Sequence, residues 1–200
     1  RTPEKLFALR GGLLSKADNE TQNSFESVVE KLTSRFDVQW LDLPEWVADI
    51  PSLHRRIMAV EAAEVHREDY AHNRQHYSPK IRGLIDEGRD CPTLDYAHAL
   101  RRQAELKVLA HQQLYSRLSE TCVPIFLMPS TPTAAPCPES TGDPIFNSLW
   151  SFLGEYAVTI PCGFSSEGLP LGLQLIHCSW AGDHAVLPVA KEIEKHFALE

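Results

Sequence analysis

Three groups of residues in this sequence have types and spacings that could do chemistry. Glu68, His72 and His76 recur at i, i+4 and i+8, so on a continuous helix they share one face. Two imidazoles and a carboxylate could hold zinc. The order of an HEXXH motif is missing, however, and no fourth ligand is evident, so no metal is expected. The plainer reading is a solvated helix face on which Glu and His support each other. Cys162 follows an apolar run and precedes Gly163. A nucleophilic cysteine needs a depressed pKa and a nearby base; without them a cysteine is a small core residue, which is the role expected here. The third group is Asp143, Phe146, Asn147 and Trp150, beside a loop rich in proline. Asparagine and tryptophan could line a pocket as one polar anchor and one apolar wall. Phe146, Leu149 and Trp150 also stand at i, i+3 and i+4, the spacing of a core-facing helix stripe, and the two roles are compatible.

Several chemistries lack their motif. The nucleophile elbow G-x-S-x-G is absent, since Gly163-Phe164-Ser165-Ser166-Glu167 fails at its last position. An S-x-x-K pair, a phosphate-binding P-loop and a GxGxxG turn are absent too.

The elements that must position these residues alternate between strands and helices. Leu6 to Leu14 reads as a strand weakened by Gly11-Gly12. Asn19 is the expected cap of a helix whose stripe is Phe25, Val28, Val29, Leu32 and Phe36. Val38 to Leu43 reads as a second strand, and strand–helix–strand predicts a parallel pair. A helix is expected from Pro51 to about His76, ended by Tyr77-Ser78-Pro79. Thr93 reads as the cap of a long helix to about Glu120. Val123 to Met128 is continuously apolar, as in a strand covered on both faces. Asp143-Pro144 pairs a cap with a first-turn proline and opens a helix to about Leu153. Tyr156 to Pro161 and Pro170 to Ile176 are strands joined by a turn at Ser165 to Gly168, and Ala185 to Phe197 is a closing amphipathic helix. The fold class is α/β.

A chain of 200 residues can bury one sizeable core. The net charge of −8 argues against nucleic acid and against an anionic membrane, both of which need a basic face. No apolar run approaches the ~20 residues of a membrane span. Five dispersed cysteines, Cys91, Cys122, Cys137, Cys162 and Cys178, include no CxxC pair, which predicts a reduced, cytoplasmic chain without a signal peptide. The absent initiator methionine and the terminal Leu199-Glu200, readable as a cloning scar, predict a piece of something longer.

Several segments, in order, resemble the amidase-signature amide hydrolases. Met128 to Pro136 is similar to that family's loop after a buried strand. Thr141-Gly142-Asp143-Pro144-Ile145-Phe146-Asn147 resembles its TGDPxFN segment, with Trp150 at the matching place. Pro161-Cys162-Gly163 and Gly168 to Gln174 match its PCG and GLPxGLQ pieces, and Ile57 to Ala63 resembles a segment upstream. The resemblance implies a three-layer α/β/α fold around a mixed sheet, with residues 1–198 forming its C-terminal portion. It also implies hydrolysis of the C–N bond of carboxylic amides without metal or cofactor. In the family a serine is activated through a second serine in a cis peptide and a lysine, and a glycine-rich backbone forms the oxyanion hole. No segment here matches the Gly/Ser-rich stretch that carries those groups, so no catalytic residue is carried over and the chain alone is expected to be inactive. The pocket residues Asp143, Phe146, Asn147 and Trp150 carry over. Two departures stand out: Glu155-Tyr156 where an apolar residue and proline are usual, and Leu149 where proline is common before the tryptophan.

Two functions follow. One is part of an amidase acting on a small-molecule amide. The other is a non-catalytic binding or scaffold module with an amidase-derived fold. In the first case an incomplete sheet with an unpaired edge predicts self-association, as a homodimer or an aggregate.

Overall fold

Leu6, Phe7, Ala8 and Leu9 are all buried, which places their strand between two covered faces. The strand is β1, Lys5–Arg10, in a computed structural model that describes residues 5–115, 124–177 and 186–197. Helix α1, Asn19–Leu32, leads from it to β2, Asp37–Asp42, and β1 and β2 pair in parallel from Lys5 opposite Asp37 to Arg10 opposite Asp42. The expected strand–helix–strand unit is therefore present. On its other side β1 pairs in parallel with β3, Ile125–Pro129. Strand β5, Pro170–His177, runs antiparallel to β3 and to β4, Tyr156–Phe164. The sheet is mixed, in the order β2-β1-β3-β5-β4.

Strand alternation divides the core in two. Phe7, Leu9, Phe126, Met128 and Ile176 pack under α2 (Ile50–Val65), α5 (Thr93–Ala110) and α6 (Ile145–Leu153). Leu6, Ala8, Ile125, Leu127, Leu173 and Leu175 pack under α1 and α7 (Val186–Glu194). Two helical layers thus enclose one sheet, the three-layer arrangement expected. No described helix is long and apolar enough to cross a membrane.

Local differences from the sequence reading have physical causes. β1 stops at Arg10 rather than Leu14, because Gly11 and Gly12 take φ of 73° and 53° and turn the chain into a short 3-10 turn. Asp18, not Asn19, caps α1, accepting a hydrogen bond from the Thr21 N–H at 2.7 Å. The helix expected to reach His76 ends at Val65. His66, at φ −94° and ψ 5°, separates it from α3, Arg67–Asn73, and a 3-10 turn carries Arg74 to His76. His76 therefore leaves the face shared by Glu68 and His72, and among the described residues no group of three His, Cys, Asp or Glu is placed to hold a metal ion. Ser78-Pro79 does more than break a helix: Ser78 caps a further one, α4, Pro79–Arg89, accepting from the Ile81 N–H at 3.4 Å. Thr93 is the first residue of α5, with Pro92 in the cap position and no side-chain cap bond. Glu120, Val123, Ala185, Cys122, Cys178 and Leu199-Glu200 lie outside the described residues.

Among the described residues strand β4 pairs only with β5. Val158, Ile160 and Cys162 turn toward the α1 and α7 layer, whereas Ala157, Thr159 and Pro161 on the α6 side are exposed.

Candidate functional site

Helix α6 is set at both ends. Asp143 Oδ1 accepts from the Ile145 N–H at 3.0 Å, and Gly154, at φ 78°, donates its N–H to the Trp150 carbonyl at 2.8 Å. Between these caps the stripe read from the sequence turns inward. Phe146 is 1% exposed and Trp150 2%. The Trp150 ring lies nearly parallel to Phe126, with centroids 6.1 Å apart and 11° between planes, and its Nε1–H points to the Met128 sulfur at 2.9 Å. Trp150 and Phe146 are thus core residues that fix α6 on the sheet. Asp143 and Asn147 stand on the exposed side.

Asn147 is tied to the sheet by a residue the sequence reading did not single out. Gln174, 5% exposed, donates from Nε2 to Asn147 Oδ1 at 2.9 Å. It sits on β5 opposite Met128 of β3 and Thr159 of β4. Its Oε1 is buried without a hydrogen-bond partner among the described residues, an arrangement that costs free energy unless something else approaches it. With its oxygen engaged by Gln174, Asn147 has its amide hydrogens left to donate. The chain after β3 closes the same corner: the Ser130 N–H donates to the Gly172 carbonyl at 2.9 Å. A Cβ on Gly172 would meet Ser130 Oγ at 2.5 Å and Thr159 Cγ2 at 2.9 Å. Asn147, Gln174, Thr159 and Ser130 therefore form a polar corner on the uncovered side of β4. The signal for Gln174 was present: it is the one polar side chain in the run Leu171 to Ile176.

A concavity of about 240 Å³ lies at the carboxyl ends of β1 and β3, where Arg10, Phe25, Trp40 and Pro129 meet. The chain leaves β1 toward β2 on one side and returns to β3 on the other, so this is a topological switch point, where open α/β sheets place ligands.

Cys162 takes the core role expected of it. It is half-buried, its Sγ lies 3.5 Å from the Leu171 carbonyl, and burial pushes its thiol up to about 11 despite the opposing charge of Lys31. The space beside it measures only about 10 Å³. At pH 7.5 iodoacetamide should alkylate Cys162 roughly tenfold or more slowly than exposed Cys137. Equal rates, followed by peptide mass spectrometry, would show an activated thiolate instead.

Known proteins resemble this chain at two levels. No family model matches it. A glutamyl-tRNA(Gln) amidotransferase subunit from Desulfatibacillum aliphaticivorans is 34% identical over 107 residues, which is 50% of this chain and 22% of that protein. Human fatty-acid amide hydrolase 2 is 38% identical over 77 residues, 36% of this chain and 14% of that protein. Among solved structures, an amidase at 21% identity superimposes with a TM-score of 0.84, covering 98% of this chain and 46% of that one. A substrate complex of 6-aminohexanoate cyclic dimer hydrolase, at 15% identity, superimposes at 0.77 over 100% of this chain and 46% of that one. The chain thus spans less than half the length of the relatives it matches. In sequence and in fold it resembles a portion of the amidase-signature amide hydrolases.

Proposed function

We propose that this chain is the substrate-shaping portion of an amide hydrolase, and that the Ser-Ser-Lys groups that break the C–N bond lie outside these 200 residues. The observation that carries this reading is the amidase-like fold over nearly the whole chain, joined to the absence of any Gly/Ser-rich segment in the sequence. In the proposed reaction a serine supplied from outside attacks the amide carbonyl, the amine leaves, and water releases the carboxylate from the acyl-serine. The chain contributes position rather than proton transfer. Phe146 and Trp150 hold α6 from beneath, Asp143 fixes its first turn, and Asn147, held by Gln174, donates to an oxygen of the substrate. The exposed side of β4 faces the groups supplied from outside.

Two measurements test the proposal. The first is the reading frame upstream of Arg1. A lysine codon followed by a Gly/Ser-rich segment supports it, and a start codon immediately before Arg1 overturns it in favour of the non-catalytic module. The second is Asn147→Ala in the complete protein. Loss of one donated hydrogen bond should lower kcat/KM by about tenfold, with a modest fall in Tm because the Gln174 amide loses its partner. Unchanged kcat/KM would remove Asn147 from the site.

A further inference from the structure

The helical layer contains a cavity that the polar corner on β4 does not share. It opens between α2, α3 and α4 and measures about 700 Å³, within the range of small-molecule sites. Its apolar lining is half-buried Val60, buried Ala63 and Tyr70, and exposed Ala71. Its rim is cationic, with Arg67, Arg74 and Arg89 against the single carboxylate of Glu64. In a chain of net charge −8 this local excess runs against the overall composition.

The three guanidiniums are not equivalent. Arg74 is committed to the wall: Nη2 donates to Asp86 Oδ2 at 2.6 Å and Nε to the Tyr70 hydroxyl at 3.0 Å. That hydroxyl in turn donates to Asp86 Oδ1 at 2.9 Å. The network fixes the buried Tyr70 ring, and Arg89 lies over the same ring at 6.0 Å, attracted by the Asp86 carboxylate but in no direct ion pair among the described residues. Arg67 meets Glu64 only at 3.7 Å, with both side chains 69% exposed, a contact worth little in water. Two guanidiniums thus retain charge to give, above an apolar lining.

We propose that this cavity binds a small organic carboxylate with a short alkyl body, its carboxylate between Arg67 and Arg89 and its tail on Tyr70 and Ala63. Guanidinium suits a carboxylate as a forked donor, and the apolar lining requires a body that inorganic anions lack. The proposal stands apart from the amide-hydrolysis reading and does not depend on it.

Titration of the 200-residue chain with hexanoate, followed by amide chemical shifts, tests it. Saturable shifts at Ala63, Ala71 and Gly88 are expected. Hexanol, hexylamine and inorganic phosphate should each bind roughly fivefold or more weakly, because each lacks either the anion or the tail. Arg89→Gln should weaken hexanoate by a similar factor, Arg89→Lys by less, and Arg101→Gln, at an exposed position of α5, not at all. The proposal is overturned if hexanoate causes no saturable shift at these residues. It is equally overturned if hexanol or phosphate binds as tightly as hexanoate, or if Arg89→Gln and Arg67→Gln both leave hexanoate binding unchanged. Far-UV circular dichroism of each variant separates lost binding from lost folding.

Discussion

Replacing Trp150 by alanine lowers the stability of the chain by about 3–5 kcal/mol, the range for emptying a large aromatic site in a packed core. For a chain of this size that is a fall of roughly 10 °C in Tm. The side chain is 2% exposed, lies along Phe126 and reaches the Met128 sulfur. Its loss removes packing from α6 and β3 together, and the cavity is too enclosed by Phe126, Phe146 and Leu149 to collapse fully. Trp150→Phe keeps the ring–ring contact and should cost about half as much. Asn147→Ala should cost less, about 1–2 kcal/mol, because it leaves the buried Gln174 amide unpaired. The contrast separates the two roles that the spacing of α6 leaves open. If Trp150→Ala unfolds at the original temperature, Trp150 is a pocket wall and not a core residue.

Gly88→Ala should be nearly as damaging, at about 3 kcal/mol. A Cβ at Gly88 would stand 1.9 Å from the Ala59 carbonyl oxygen, 2.4 Å from its carbon and 2.8 Å from the Val60 nitrogen. These are backbone atoms of α2, so no side chain can swing aside, and the two helices must separate. Intrinsic propensity acts in the opposite direction, since alanine is favoured over glycine in a helix by about 1 kcal/mol. Gly83 on the same helix has nothing within 4 Å of its would-be Cβ. Gly83→Ala should therefore stabilise by roughly 0.5–1 kcal/mol. Urea unfolding of the pair gives shifts of opposite sign. Equal shifts would mean that α2 and α4 do not cross at Gly88.

The sheet was legible because its signals are local and mutually consistent. The unbroken apolar run of β3, the stripe of α1 and the Asp143-Pro144 start of α6 each have a single physical reading, and each element formed there, although α1 ends at Leu32 short of Phe36 and Pro144, not Asp143, takes the cap position of α6. The helical layer was less legible. Tyr77-Ser78-Pro79 reads equally as a stop and as a cap with a first-turn proline, and only the burial of Ile85 and Gly88 against α2 shows that a helix follows. The break at Asn73, with φ −123°, has no proline or glycine to announce it, so His76 shares a face with Glu68 and His72 in the periodicity and not in the molecule. In the candidate site the sequence pointed to α6 but not to its partners. Gln174 approaches Asn147 across 27 positions of sequence, a contact set by strand register that no local pattern encodes.

The central claim is that this chain shapes a substrate site but does not break the bond. It is tested most directly by exposing the purified chain to a panel of simple aliphatic and aryl amides together with a serine-directed fluorophosphonate probe. The account predicts no amide turnover above the buffer control and no stoichiometric labelling of any serine. Turnover that a single point substitution abolishes, or stoichiometric labelling of one serine, would contradict it.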